Sequence, residues 1–316
     1  MPTPRRRPPA RSTAPRRRRT RRRNNRSAFR TFFLVLLFLA AFALLYTFAG
    51  DLFGGDEAVQ PVSGEVLVHF IDVGQGHATL VQSPNHAVLI DGGEPRYGTQ
   101  VVNYLRNAGV TRLDYVVATH PHADHIGGLI HVLNQMEVGT VIMPDATNDT
   151  LTFERFMEAI INHDHNVRFV TAGDALNAGD IRMTVLGPVQ RDTPWPRNQL
   201  NNASVVLRMQ HGEMAFMFTG DVERAGEESM LASGRNLRAD VLHVSHHGSN
   251  TSTIQAFLDA VSPSIAVISS GEGNTHGHPH PAVLTRLEAA NVRILRNDER
   301  GDIILKSTGS EIILLP

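Results

Sequence analysis

The sequence predicts an α/β fold in which two β-sheets lie face to face between layers of helices. Three observations predict it. Short apolar runs alternate with stretches of helical periodicity over residues 64–316. Most of those runs are apolar throughout rather than alternating, as expected for strands covered on both faces. Helical stretches recur in both halves of the chain, so each of two sheets can have its own outer layer.

The strands expected, in order, are 66–71, 78–82, 87–90, 115–118, 140–143, 167–170, 181–186, 204–209, 214–219, 241–244, 265–268, 293–295, 302–305 and 311–314. Helices are expected over 100–107, 126–135, 153–162, 223–232, 254–261 and 282–289. No internal repeat interrupts this order. Polar motifs stand where apolar runs end. They are Asp72-Val73-Gly74-Gln75-Gly76, Asp91-Gly92-Gly93, His120-Pro121-His122-Ala123-Asp124-His125, Gly220-Asp221 and His246-His247-Gly248-Ser249. Such ends can converge on one edge of a sandwich, where a site would form.

The N-terminal residues are of a different kind. Residues 1–30 hold thirteen arginines and no acid, a self-repelling tail with no means of folding alone. Residues 31–50 carry no charge and include the eighteen-residue apolar run 32–49, just enough to cross a bilayer as a helix. We read this segment as an uncleaved transmembrane anchor, the arginines holding the N-terminus in the cytoplasm and the rest lying outside the membrane. A cleaved signal and a secreted product are the alternative, against which the poor small-x-small match at Thr47-Phe48-Ala49 weighs. Residues 51–63 read as a linker.

Beyond residue 50 the chain has 17 basic and 31 acidic side chains, a formal charge of −14. That balance argues against a broad electrostatic footprint for nucleic acid, which needs clustered arginine and lysine. With no cysteine, disulfides are excluded and any metal must be held by nitrogen and oxygen.

The histidine cluster carries the strongest chemistry. His120 and His122 alternate across Pro121 after a strand, so both imidazoles can face one side; Asp124 and His125 follow as the chain turns into a helix. Three histidines and a carboxylate within six residues suit zinc, or manganese with its preference for oxygen. The bland alternative, a solvated histidine-rich loop, fits poorly with that position after a strand. Asp221, at the end of another apolar run, is placed to bridge two metals; alone it would be a turn residue. One of His246 and His247 can complete a second metal shell. His278, in Gly277-His278-Pro279-His280, is a candidate for contacting substrate, although that setting also suits an ordinary turn.

In this order, these motifs resemble those of the metallo-β-lactamase superfamily, and within it the C-terminal hydrolase domain of ComEC-type DNA-uptake proteins. The resemblance runs from about Glu65 to the C-terminus and is carried by His69-Phe70-Ile71-Asp72-Val73-Gly74-Gln75-Gly76, Leu89-Ile90-Asp91-Gly92-Gly93, the histidine cluster, Asn201-Asn202-Ala203-Ser204-Val205-Val206-Leu207, Phe218-Thr219-Gly220-Asp221, Ser245-His246-His247-Gly248-Ser249 and Gly277-His278-Pro279-His280-Pro281. It implies an αββα sandwich and two divalent ions, Zn or Mn. His120 and His122 would hold one ion. Asp124, His125 and His246, with His247 as the alternative, would hold the other, and Asp221 would bridge. Asp72, Asp91 and His77 would stand behind these ligands.

Two departures matter. Many members supply a further histidine to the first metal where this chain has Asn201-Asn202-Ala203-Ser204, which leaves that site less enclosed. His77 stands where the family's Asp-Val-Gly-Gln-Gly run usually continues with aspartate.

Two ions about 3.5–4 Å apart would activate water at neutral pH and leave a locally positive cluster that draws an anionic phosphodiester. Asp124 joins metal binding to catalysis in this reading, while Asn201, Asn202 and His278 hold the substrate's oxygens or protonate its leaving group. The expected function is a membrane-anchored, extracytoplasmic metal-dependent phosphodiesterase with no organic cofactor, DNA being one candidate substrate. A lactamase- or lactonase-type amide or ester hydrolase is the enzymatic alternative, and a non-catalytic metal-binding module the other.

Overall fold

The computed structural model describes residues 59–193 and 195–316. The arginine tail, the expected membrane span and most of the linker lie outside the described residues. Among the described residues no helix is long and apolar enough to cross a membrane.

Fifteen strands follow in chain order: β1 (Val66–Phe70), β2 (Thr79–Ser83), β3 (His86–Ile90), β4 (Arg112–Val117), β5 (Glu137–Met143), β6 (Asn166–Phe169), β7 (Ala175–Ala178), β8 (Ile181–Gly187), β9 (Val206–His211), β10 (Met214–Phe218), β11 (Val241–His243), β12 (Ile265–Ile268), β13 (Arg293–Arg296), β14 (Ile303–Ser307) and β15 (Ile312–Leu314). They form an eight-stranded sheet in the order β15-β14-β1-β2-β3-β4-β5-β6 and a seven-stranded sheet in the order β13-β12-β11-β10-β9-β8-β7.

The period-2 alternation of strand side chains explains the layering. In β3, Val88 and Ile90 enter the core between the sheets, whereas Ala87 and Leu89 face helices outside the first sheet. In β10, Phe216 and Phe218 point inward while Ala215 and Met217 pack outward under helices of the second sheet. Outside the first sheet, Val101, Leu105, Leu129, Leu133 and Phe156 bring in the helices Gly98–Asn107, Leu129–Gln135 and Leu151–Asn162. On the second sheet Met230, Phe257 and Leu287 do the same for Arg224–Ala232, Gln255–Val261 and Pro281–Ala289. The result is the αββα sandwich that the apolar pattern and the resemblance imply.

In each sheet one run is parallel, β3-β4-β5-β6 in the first and β10-β11-β12-β13 in the second. The carboxyl ends of β3, β4, β10, β11 and β12 lead into Asp91, Thr119, Gly220, Val244 and Ser269 respectively, and these loops build the site, as in open parallel sheets generally.

Two of the differences from expectation bear on the site and the sheets. The helix expected over 126–135 is divided at Gly127-Gly128 into Ala123–Ile126 and Leu129–Gln135. There Gly92 N–H donates to His125 O and Gly128 N–H to Gly93 O, both at 2.8 Å. A Cβ on Gly128 would overlap the Gly92 carbonyl oxygen, so the break is where two loops lock together. The edge strand β7, sequence Ala-Leu-Asn-Ala, has no apolar run to mark it; its pairing with β8 alone reveals it.

Candidate metal centre

Asp91 organises the centre from beneath. It is fully buried, with φ at 59°, a left-handed conformation that a non-glycine residue holds only when its surroundings enforce it. Thr119 N–H donates to Oδ1 at 2.8 Å, and the Thr119 hydroxyl donates to Oδ2 at 2.7 Å. His125 Nδ1–H donates to the same Oδ2 at 2.7 Å, which turns the lone pair of Nε2 toward the centre. Since the Thr119 hydroxyl proton is committed to Asp91, its oxygen accepts from His120 Nδ1–H at 3.2 Å, and the lone pair of His120 Nε2 is freed as well.

Four donors converge in front of Asp91. His125 Nε2 lies 3.2 Å from Asp221 Oδ1 and 3.7 Å from Asp124 Oδ2. His247 Nε2 lies 3.3 Å from Asp124 Oδ2 and 3.5 Å from Asp221 Oδ2. Ligands about 2.0–2.1 Å from a tetrahedral ion stand roughly 3.4 Å from one another, so this set has the spacing of one coordination shell. Beside it, His120 Nε2 is 3.0 Å from His122 Nδ1 and 3.9 Å from Asp221 Oδ2. Asp221 therefore faces both groups.

The ligand atoms fit a cation. His125 Nε2 and Asp221 Oδ1 are buried and face one another with no other polar partner, an arrangement that a shared cation would satisfy. Electrostatics point the same way. Burial works against protonating His247, yet Asp221 and Asp124 outweigh it and push the imidazole up to about 10. His125 is raised well above its ordinary range by the same contest, burial being overcome by Asp221, Asp91 and Asp124. Asp221 is held well below the usual carboxylate range despite its burial, chiefly by His125 and His247. The carboxylates call for positive charge, and without an ion the two imidazoles supply it. His120, by contrast, is kept neutral by burial and by the nearby His125.

The paired histidines take different places because both adopt left-handed backbone, with φ at 50° for His246 and 55° for His247. That double turn sends His247 inward, where its Nδ1–H donates to Ser269 O at 2.8 Å and Nε2 enters the donor set. His246 stays at the rim, its side chain 22% exposed, with Nδ1 at 3.4 Å from Glu223 Oε1 and Nε2 at 3.8 Å from Asp221 Oδ2. The inner position expected first for His246 thus falls to His247.

Other expected residues are distributed unevenly. His77 lies inside the cluster, its ring centroid 4.4 Å from that of His247 and its Nδ1 3.9 Å from Asp221 Oδ1. Burial, then the neighbouring histidines, keep it neutral. His278 reaches the rim 5.5 Å from the His246 ring, with Nδ1 at 3.4 Å from Gln75 Nε2; burial and then His247 lower it to about 4. Asn201 is half-buried, its Oδ1 unpartnered.

Two expectations need correction. Asn202 is not available to substrate: it is buried, and its Oδ1 accepts from Glu223 N–H at 3.2 Å and Gly226 N–H at 2.8 Å, at the start of a helix. Asp72 stands away from the ligands and shapes its own loop, accepting from Gly74 N–H at 3.0 Å while its N–H donates to Asp302.

The sequence reading missed Thr119, His243 and Ser204. His243 lies buried on β11 with its ring 4.3 Å from that of His77, and Ser204 Oγ accepts from Asp221 N–H at 3.2 Å. Thr119, one residue before the cluster, offered a signal by position; His243, inside an apolar run, reads as an ordinary core histidine.

Comparison with known proteins completes the picture. The family model described as "Metallo-beta-lactamase superfamily" matches residues 71–272. Over 260 residues the chain is 34% identical to ComE operon protein 3 of Bacillus subtilis, covering 77% of this chain and 33% of that protein. It is 35% identical to competence protein ComA of Neisseria gonorrhoeae over 239 residues, covering 75% and 32% respectively. The chain thus spans about a third of the length of these curated relatives. Among solved structures, the metallo-β-lactamase fold protein YhfI from Bacillus subtilis superposes with a TM-score of 0.52 at 15% identity, covering 77% of this chain and 99% of YhfI.

Proposed function

The chain belongs to the metallo-β-lactamase superfamily, and from that premise we propose that it is a dinuclear metal-dependent phosphodiesterase. One observation carries the reading: a buried carboxylate, Asp221, faces two donor groups, one nearly complete and one made of His120 and His122 with His246 at its rim. The site supplies no further histidine where many superfamily members have one, so the His120 side is left open for an anionic ligand. Similarity to competence proteins supports a nucleic-acid or nucleotide substrate. The expected anchor at residues 31–50 supports action outside the membrane.

Asp124, His125 and His247 would hold one ion, His120 and His122 the other, with Asp221 between them. When bound, two divalent ions supply Lewis-acid activation of water and neutralise charge on the phosphodiester. The protein's own groups do the rest. Asp91 and Thr119 hold His125 and His120 in the ligating tautomer. Ser204 and Ser269 fix Asp221 and His247 from behind. Asn201, His246 and His278 line the rim, where neutral donors can hold the non-bridging oxygens of the substrate.

The test is hydrolysis of bis(4-nitrophenyl) phosphate and of single-stranded DNA by the full-length protein with zinc or manganese. Wild type should turn over, and Asp124→Ala should lose about a thousandfold or more in rate. Lactam or lactone opening without phosphodiester cleavage would overturn the reading in favour of an acyl hydrolase. Metal binding with no turnover of any substrate would leave a binding module.

A further inference from the structure

We infer that the cavity beside Trp195 is a nucleobase subsite, an assignment that deepens the phosphodiesterase reading and rests on it for the substrate's phosphate. The cavity has a volume of about 340 Å³ and is lined by Trp195, Arg191, Gln190, Thr193, Asp145 and Ala203, among others. One of its walls is the segment that supports the metal centre. Ala203, in its wall, precedes Ser204, whose hydroxyl holds the backbone of Asp221. The segment 203–204 thus walls the cavity on one side and holds the carboxylate that faces both donor groups.

The lining chemistry selects a flat, polar-edged ring. The Arg191 guanidinium lies over the Trp195 ring, 3.8 Å from its centroid, forming a stacked platform of planar groups. Bases stack on both indole and guanidinium planes. Gln190 and Thr193 offer donors and acceptors to a base edge, and Asp145 an acceptor for an exocyclic amine. A polyol-phosphate polymer has no ring to stack there, and a sugar offers a C–H face but no planar edge of ring nitrogens and exocyclic amines for Gln190, Thr193 and Asp145. The domain's net charge of −14 beyond residue 50 fits this picture: recognition would come from stacking at one point and metal at the other, not from a basic surface.

Trp195 is the only tryptophan in the chain, so its fluorescence reports the subsite directly. The experiment titrates the full-length, metal-loaded protein with a phosphorothioate-linked oligothymidylate, and with a chain of the same length and linkage lacking bases. Saturable quenching by the first and not the second is expected. In parallel, anisotropy of a labelled oligonucleotide is measured on wild type and Trp195→Leu, which keeps apolar bulk; affinity should fall by about five- to a hundredfold. Equal quenching by both chains, no quenching by either, or unchanged affinity in the variant would overturn the subsite. Quenching without hydrolysis of any phosphodiester would instead leave the subsite standing and overturn the phosphodiesterase reading. Hydrolysis without quenching does the reverse.

Discussion

The two halves of the candidate centre are built to different standards. Around His125 and His247, each imidazole has its outer nitrogen committed, to Asp91 and to the Ser269 carbonyl, and Asp124 and Asp221 close the shell. Around His120 and His122 the shell is looser: two imidazoles, one oriented through Thr119, a carboxylate shared with the other half, and the rim histidine His246, whose Nε2 is 3.8 Å from the same Asp221 Oδ2 that His120 faces. Tight orientation raises metal affinity, because ligands already aimed lose little entropy on binding. On the proposed reading, the first half is expected to retain its ion and the second to exchange it and meet the substrate. Both halves depend on Asp221, yet each can be broken alone.

The largest effect should come from the inward member of the histidine pair. His247→Ala removes one of four donors from the closed half and leaves Asp124 and Asp221 facing His125 alone. Its ion should bind more than about a hundredfold more weakly, beyond what loss of a supporting group produces. His246→Ala, at the rim though adjacent in sequence, should leave the ion of the closed half in place and act on turnover. Metal stoichiometry by mass spectrometry after dialysis distinguishes them. Equal losses in the two variants would erase the distinction between inner and rim histidine.

Next comes the group behind the closed half. In Asp91→Asn, a carboxamide nitrogen or oxygen must face the hydroxyl and amide of Thr119 and Nδ1–H of His125, all donors to the carboxylate. One donor is left opposite another, and His125 can relieve the clash by shifting its proton to Nε2, the atom that must ligate. Affinity for the tighter ion should fall by about 10–100-fold in chelator competition, with circular dichroism unchanged. An unaltered affinity would mean that Asp91 only braces the fold.

How far these residues were legible follows from which forces act along the chain and which act across it. The layers were readable because burial on both faces writes continuous apolar runs, as in β3 and β10. The convergence of Asp91, His120, His125 and Asp221 was foreshadowed by their positions after such runs. What sequence could not separate was His246 from His247, since two consecutive positive φ angles, not residue identity, decide which points inward. Nor could it separate Asn201 from Asn202, because the choice depends on where the amides of Glu223 and Gly226 end up. Thr119 and His243 acquire their roles only through contacts with residues distant in sequence, and the platform at Trp195 requires a loop to fold Arg191 back over the ring.

The smallest expected effect comes from strengthening the weaker half. Asn201 is half-buried with Oδ1 unpartnered and its side chain hydrogen-bonded to Glu223 beside His246, and the segment that carries it is anchored to the centre, Val205 N–H donating to Thr119 O at 2.8 Å. Asn201→His would place an imidazole near His120 and His122, where many superfamily members have their additional ligand. A third nitrogen should slow loss of the more labile ion to a chelator by a few-fold, about 1 kcal/mol in affinity, because the new ring is not oriented by a partner as His125 is. The same imidazole occupies space otherwise open to an anionic ligand, so KM for a phosphodiester should rise while the tighter ion is unaffected. If instead both ions were retained more strongly and KM were unchanged, the openness of the His120 half would have no bearing on substrate entry, and the asymmetry would concern metal retention alone.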